Sequence, residues 1–294
     1  MRIVLIGEAM LELSRRGEAW RLGHGGDTLN TALHLARAGH DVAYMTALGS
    51  DPFSADLVKA WRGEGLDTGL VLRHPDRATG LYAISTDPHG ERSFAYWRDT
   101  SAARAMFTLP GAERALEQAA QADMIAFSLI TLAVLPREGR EALHALARSV
   151  RQRGGQVAFD GNYRPRLWSD PGEARAERDH AIALATIGLP TLDDERLLSG
   201  EAEAAQVAAH WQRLGCGETV VKLGEQGCRL GDGTIIPPPQ VLQPVDTSGA
   251  GDAFNAGYLG ARISGALPLD AARAGHALAG WTVMRPGAIP DRDP

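Results

Sequence analysis

The stretch Pro244-Val-Asp-Thr-Ser-Gly-Ala-Gly-Asp-Ala-Phe-Asn-Ala-Gly257 decides how this 294-residue chain is read. Its apolar start predicts a short strand ending near Val245. Gly249 and Gly251 follow at a bend, and a helix pattern runs from about Gly251 through Tyr258 and Leu259. Glycines just ahead of a helix let the backbone curl until several N–H groups point at one place. The helix N-terminus adds partial positive charge, so the loop suits an anion. Asp252 falls in the first turn of that helix, where a carboxylate either stabilises the helix start or serves as a general base. No Gly-Lys-Ser/Thr follows, so this is not a Walker A loop, and no GxGxxG follows the first apolar run.

Working outward, short apolar runs at 3–6, 124–127, 157–159 and 219–222 alternate with helical patterns at 28–38, 138–153 and 202–214. Strands alternating with helices of that length predict βαβ units and a mainly parallel sheet covered on both faces. One region breaks the rhythm. From about 70 to 107 the pattern shortens to two strand-like runs, Gly80-Leu-Tyr-Ala-Ile-Ser-Thr86 and Arg92-Ser-Phe-Ala-Tyr-Trp97, around a turn at Asp87-Pro-His-Gly90. That is a hairpin, with Phe94 expected to pack rather than to act. A small sheet projecting from an α/β body suggests a lid over the carboxyl ends of the strands.

Composition narrows the function. The chain is 44% hydrophobic and 22% charged, with a net charge of −6 and no basic block, which argues against nucleic acid as the main partner. No apolar run reaches the ~18 residues of a membrane helix. Glu8 interrupts the N-terminal apolar run, which reads as a first strand rather than a signal-peptide core. Cys216 and Cys228 are too few for a disulfide scaffold and have no zinc-site spacing, so a reducing cytoplasm is expected.

At Asp246-Thr-Ser-Gly-Ala-Gly-Asp252 the chain closely resembles the C-terminal signature of the ribokinase-like, or PfkB, carbohydrate kinases. The family's N-terminal signature has a counterpart in Gly25-Gly-Asp-Thr-Leu-Asn30, and Thr46-Ala-Leu-Gly-Ser-Asp51 follows as in that family. Gly7-Glu-Ala-Met-Leu-Glu-Leu-Ser14, Gly90-Glu-Arg-Ser-Phe-Ala-Tyr-Trp-Arg98, Asp160-Gly-Asn-Tyr-Arg-Pro-Arg-Leu-Trp168 and Thr191-Leu-Asp-Asp-Glu195 resemble its sugar-acid branch. The resemblance spans the whole chain. It implies a single three-layer α/β/α domain over 1–294, with a mainly parallel central sheet and a small β-sheet lid from about 9–24 and 70–107. It also implies ATP with Mg2+, and in many relatives a monovalent cation such as K+ beside the Asp246–Asp252 loop. Dimers through the lid are common in such a family.

Roles follow residue by residue. Asp252 would take a proton from a substrate hydroxyl while the Gly249, Ala250 and Gly251 amides stabilise charge on the phosphoryl group. By resemblance, Gly25, Gly26, Asp27 and Asn30 would hold sugar hydroxyls, Asp27 also being suited to cap the helix that starts near Thr28. Tyr82 and Tyr96 of the lid would meet the substrate. A sugar acid demands cations, and arginine holds a carboxylate with two parallel hydrogen bonds, so Arg98 and Arg164 are the candidates. On the nucleotide side the resemblance places Lys222, Gly224 and Gly227 around the phosphates and ribose, Asn162 and Thr191 at the flanks, and His276 near the adenine. The chain departs from the common Asn-x-x-Glu motif, with Thr191-Leu-Asp-Asp194 in its place, and Asp194 is not named as a direct metal ligand. The rival readings are a kinase for a neutral sugar and a non-catalytic sensing module.

Overall fold

The computed structural model describes residues 1–16, 19–86 and 92–292. In chain order these form β1 (Arg2–Ile6), β2 (Met10–Arg16), β3 (Ala19–Gly25), α1 (Asp27–Arg37), β4 (Asp41–Gly49), α2 (Pro52–Gly63), β5 (Val71–His74), β6 (Gly80–Thr86) and β7 (Arg92–Trp97). There follow α3 (Ala112–Ala119), β8 (Met124–Ser128), α4 (Leu129–Val134), α5 (Arg137–Gln152), β9 (Gln156–Asp160), α6 (Pro171–Leu184), β10 (Ile187–Gly188), α7 (Leu192–Ser199) and α8 (Ala204–Arg213). The chain continues through β11 (Glu218–Lys222), β12 (Cys228–Leu230), β13 (Ile235–Ile236), α9 (Ala250–Ile263) and α10 (Pro268–Val283).

The main sheet runs β13-β12-β11-β10-β9-β8-β1-β4-β5, parallel from β11 to β5, with β12 and β13 added antiparallel at one edge. Its strands are apolar on both faces because both faces are covered. Along β1, Ile3 and Leu5 enter one core layer and Val4 and Ile6 the other. The first layer holds Leu29 and Leu33 of α1, Trp61 of α2, Leu259 of α9 and Ala271 of α10. The second holds Ala115 of α3, Leu143 and Leu146 of α5, Ala181 of α6, Leu198 of α7 and Trp211 of α8. Each large side chain buried this way contributes about 1.5–3 kcal/mol. The result is the expected three-layer α/β/α sandwich.

Local chemistry marks the helix ends. Asp51 caps α2 by accepting the Ser54 N–H at 2.9 Å, with Pro52 at the first helical position. The α5 stripe Leu143, Leu146, Ala147 and Val150 keeps helical spacing.

The second sheet, β3-β2-β6-β7, has four strands and pairs the two segments expected to make the lid. The lid is narrower than the sequence suggests. Residues 71–74 form β5, the parallel edge strand beside β4, and Ala102, Ala103 and Met106 are buried in the main core. The turn expected at 87–90 lies outside the described residues. Phe94 stacks on Tyr96 with ring centroids 6.2 Å apart but stays 40% exposed, so its packing is within the lid alone.

The strand expected to end near Val245 is absent. Residues 237–239 and 244 are prolines, which lack the N–H that a ladder needs, and Val245 is exposed. Instead the Val245 and Asp246 N–H groups both bond the Val283 carbonyl at the end of α10.

Candidate active site

The first turns of α1 and α9 meet above the carboxyl ends of β1, β8 and β9, and Asp252 lies between them. Asn30 Nδ2 donates to Asp252 Oδ2 at 2.8 Å, and Thr31 Oγ1 donates to the Asp252 carbonyl at 3.2 Å. Asp27 accepts the Thr28 N–H at 2.8 Å on one oxygen and Asn162 Nδ2 at 3.0 Å on the other. Asp27 is therefore the first residue of α1, and Gly26 holds the cap position. Only glycine fits at Gly26, because φ is 147° and a Cβ would run into the Glu8 carbonyl. Gly249 caps α9 with φ 70°, and a Cβ there would lie 2.6 Å from Ala288 Cβ. No side chain caps α9, and its first N–H, that of Ala250, donates to the Thr247 carbonyl at 3.3 Å, which leaves those of Gly251 and Asp252 to meet an incoming anion.

Burial pushes the Asp252 carboxyl up to about 8, with the neighbouring Asp27 carboxylate reinforcing the shift and the Asn30 amide opposing it. Asp27 is also raised, chiefly by burial. Two acids this close cannot both ionise easily, which poises one of them as a base near neutral pH.

The lid's inner face carries Glu12, Tyr82 and Tyr96, matched across the strands. The Tyr82 hydroxyl donates to Glu12 Oε2, and its ring stacks on Tyr96 with centroids 6.0 Å apart. Gly25 is close under it, since a Cβ there would strike the Tyr82 hydroxyl. Burial raises the Tyr82 phenol, and the neighbouring Glu12 carboxylate adds to that shift.

Both arginine candidates have acid partners. Arg98 Nε donates to Glu8 Oε2 at 2.7 Å, Nη2 bonds the same oxygen, and the Ser101 hydroxyl holds the other carboxylate oxygen. Glu8 and Arg98 are both buried, and Arg98 Nη1 has no acceptor among the described residues. Arg164 is half exposed and donates to Asp194 Oδ1 at 3.0 Å. Burial raises the Asp194 carboxyl even though Arg164 opposes the shift.

Beside α9 and α10 opens a cleft of about 760 Å³. Lys222, Gly224, Gly227, Ala250, Gly251 and His276 line it, together with an apolar wall that includes Val241, Leu242 and Trp281. His276 Nε2 is 3.0 Å from the Ile236 carbonyl and the ring stands edge-on to Phe254, which makes it part of the wall's support. Neither Asn162 nor Thr191 lines this cleft: Asn162 is turned to Asp27, and Thr191 bridges to Lys222. Among the described residues no group of three His, Cys, Asp or Glu side chains could hold a metal ion.

Sequence reasoning missed Glu8, Glu12, Asp160 and Asn255. Asp160 ends a strand inside a quoted motif, and Asn255 sits one helical turn after Asp252, so position offered a signal for both. Glu8 and Glu12 also lie inside a quoted stretch, but nothing in local spacing pairs them with Arg98 and Tyr82.

A carboxylate raised toward neutrality, an uncapped helix start and a neighbouring apolar cleft, all under a small lid, are the working parts of a kinase for small molecules. The chain belongs to the pfkB family of carbohydrate kinases, whose sequence model it matches over residues 1–293. It is 41% identical to a 2-dehydro-3-deoxygluconokinase of Dickeya dadantii (strain 3937), covering 98% of this chain and 96% of that one. A 2-dehydro-3-deoxygluconokinase of Escherichia coli (strain K12) is also 41% identical, over 99% of this chain and 98% of that one. A Vibrio cholerae O395 fructokinase double mutant, solved with fructose, ADP and potassium ion bound, superposes with a TM-score of 0.84. It shares 25% identity and covers 98% of this chain and 94% of that one.

Proposed function

We propose that this carbohydrate kinase transfers the γ-phosphate of ATP to the 6-hydroxyl of 2-dehydro-3-deoxy-D-gluconate, giving 2-dehydro-3-deoxy-6-phosphogluconate and ADP. The observation that carries the substrate is the 41% identity, over nearly all of both chains, to 2-dehydro-3-deoxygluconokinases. Asp252 takes the hydroxyl proton as the oxygen attacks phosphorus and the bond to the β-phosphate oxygen breaks. Asn30 aims the base, and the amides of Gly251 and Asp252 meet the charge on the transferring group. Asp27, Gly25 and Gly26 lie where the sugar hydroxyls would be held. Tyr82 and Tyr96 close over them and keep out water that would otherwise accept the phosphate. Arg98 offers Nη1 to the substrate carboxylate, while Glu8 fixes the plane of its guanidinium.

Magnesium belongs to this reading as an ion that arrives on the nucleotide, because the described residues supply no cage for it and this ion usually keeps several waters. A monovalent cation beside the Asp246–Gly249 loop fits as well. The buried Asp246 carboxylate, which accepts the Gly287 N–H at 2.8 Å, supplies the negative charge such an ion needs. Two buried, unpaired cysteines accord with a cytoplasmic enzyme. A dimer formed through the outer lid face completes the picture.

The pairing of Arg98 with Glu8 and of Arg164 with Asp194 favours one second reading, a kinase for a neutral sugar, since both cations are already balanced. A coupled ADP-release assay across 2-dehydro-3-deoxygluconate, its 4-epimer, gluconate, fructose and ribose decides. The sugar acid is expected to give the highest kcat/KM, and faster phosphorylation of fructose or ribose would reverse the assignment.

A further inference from the structure

Lys222 ends β11 with only 7% of its surface exposed, and a lone ammonium in that setting carries a heavy desolvation cost. Two acceptors offset it. Nζ donates to Asp160 Oδ1 at 3.0 Å and to Asn255 Oδ1 at 3.1 Å, and Asn255 Nδ2 donates to Asp160 Oδ2 at 2.8 Å. The three side chains come from β9, β11 and the second turn of α9 and close a ring. An ammonium has three N–H bonds, and among the described residues the third of Lys222 has no acceptor.

The ring's position gives that third bond a use. Lys222 borders the 760 Å³ cleft, and a Cβ on Gly251 would lie 3.8 Å from Nζ. Gly251 precedes the base, so the ammonium sits at the Asp252 end of the cleft, by the uncapped start of α9. The alternative ways of balancing phosphate charge are weak in this chain. Asp194 is engaged by Arg164 and so has less charge to offer an ion on the nucleotide. A fixed protein cation answers the same need as a carboxylate-organised ion.

We infer that Lys222 neutralises the phosphate being transferred, and that Asp160 and Asn255 are positioning residues that hold its ammonium for that task. The inference rests on the kinase reading and deepens it. Asp160 keeps the empty site close to electroneutral. When a phosphate approaches, the uncommitted N–H turns to it while the two ring bonds hold the side chain in place. The contact is to the γ-phosphate rather than to the two phosphates left on ADP, because Nζ lies beside the residue that precedes the base.

The test is calorimetric binding of ATP and of ADP, without sugar, to the wild type, Lys222→Gln and Lys222→Met. Glutamine keeps donors for Asp160 and Asn255 but not the charge. Both variants are expected to lose about tenfold or more in ATP affinity, the scale of one charge-assisted hydrogen bond, with ADP affinity nearly unchanged. Their kcat is expected to fall by about 10²–10³-fold. If neither folds, Asn255→Ala keeps the ion pair but frees the ammonium to swing, and it is expected to narrow the ATP preference over ADP. ATP binding at wild-type strength in Lys222→Gln, an equal loss of ATP and ADP, or an unchanged preference in Asn255→Ala would each overturn the inference. A wild type that phosphorylates no sugar would remove the substrate reading, while the ATP–ADP comparison would still judge Lys222.

Discussion

Asp252 has to be ionised to take a proton, yet burial and the Asp27 carboxylate favour its neutral form, and only donors such as Asn30 and the charge on Lys222 act against them. A base whose pKa lies near the working pH is well matched to proton transfer. The pH profile of kcat/KM in the free enzyme should therefore have a rising limb near about 8. In Asn30→Ala the carboxylate loses its donor, which raises the pKa further and moves the limb to more alkaline pH; an unmoved limb would show that Asn30 does not tune the base. Asp252→Asn should lower turnover by at least about 10²–10⁴-fold while ATP still binds. Its stability should change in the opposite sense. The folded pKa of about 8 lies above the ordinary 3.8, so the carboxyl favours folding only while protonated, and wild-type stability falls as pH rises between those values. The asparagine variant should then melt higher than the wild type at pH 8 to 9, and an unchanged or lower Tm there would contradict the burial argument.

At the scale of elements, the lid is joined to the body by a buried ion pair. Arg98 follows β7 directly and Glu8 lies two residues beyond β1, so the pair ties the lid's exit to an interior strand of the main sheet. Removing one partner of such a pair leaves a buried charge alone and costs about 3–5 kcal/mol. Arg98→Met is expected to lose stability on that scale in urea unfolding, and adding Glu8→Gln should recover a good part of it. Equal midpoints for Arg98→Met and the wild type would mean that the pair contributes nothing to the fold. Most of the elements were legible. The run from Thr219 to Lys222 and the α5 stripe carry strand and helix spacing in the residues themselves. The strand expected before the anion loop was not there, because the proline-rich 237–244 segment cannot donate to a ladder and its neighbours hang from the end of α10 instead. The lid reads too wide in the sequence because Val71, Leu72, Ala102, Ala103 and Met106 look the same whether they face a lid or a body core.

At the scale of the molecule, the lid sheet has two unlike faces. The inner face carries Glu12, Tyr82 and Tyr96, and strand alternation puts Leu13, Leu22, Trp20 and Trp97 on the other. Trp20, Leu22 and Trp97 are 53%, 46% and 59% exposed, so this face leaves large apolar side chains in contact with water. With a second copy covering that face, the wild type should sediment as a dimer, and the double variant Trp20→Glu/Leu22→Glu should sediment as a monomer with an unchanged circular dichroism spectrum. A wild type that stays monomeric at micromolar concentration would remove the lid dimer from the reading.

The sequence by itself determined the alternation of strands and helices and the glycine bend at the start of α9, because both are written in local spacing: period two, period three to four, and glycines just before a helix. It also carried the two signatures that mark the family. What the tertiary structure alone decided is which charges meet. Glu8 reaches Arg98 across 90 residues, Asn30 reaches Asp252 across 222, and Asp160 reaches Asn255 across 95. The two arginines that the sequence offers as free cations are paired for the same reason. The energy of a charge depends on its burial and on its neighbours in space, and neither quantity is a function of distance along the chain.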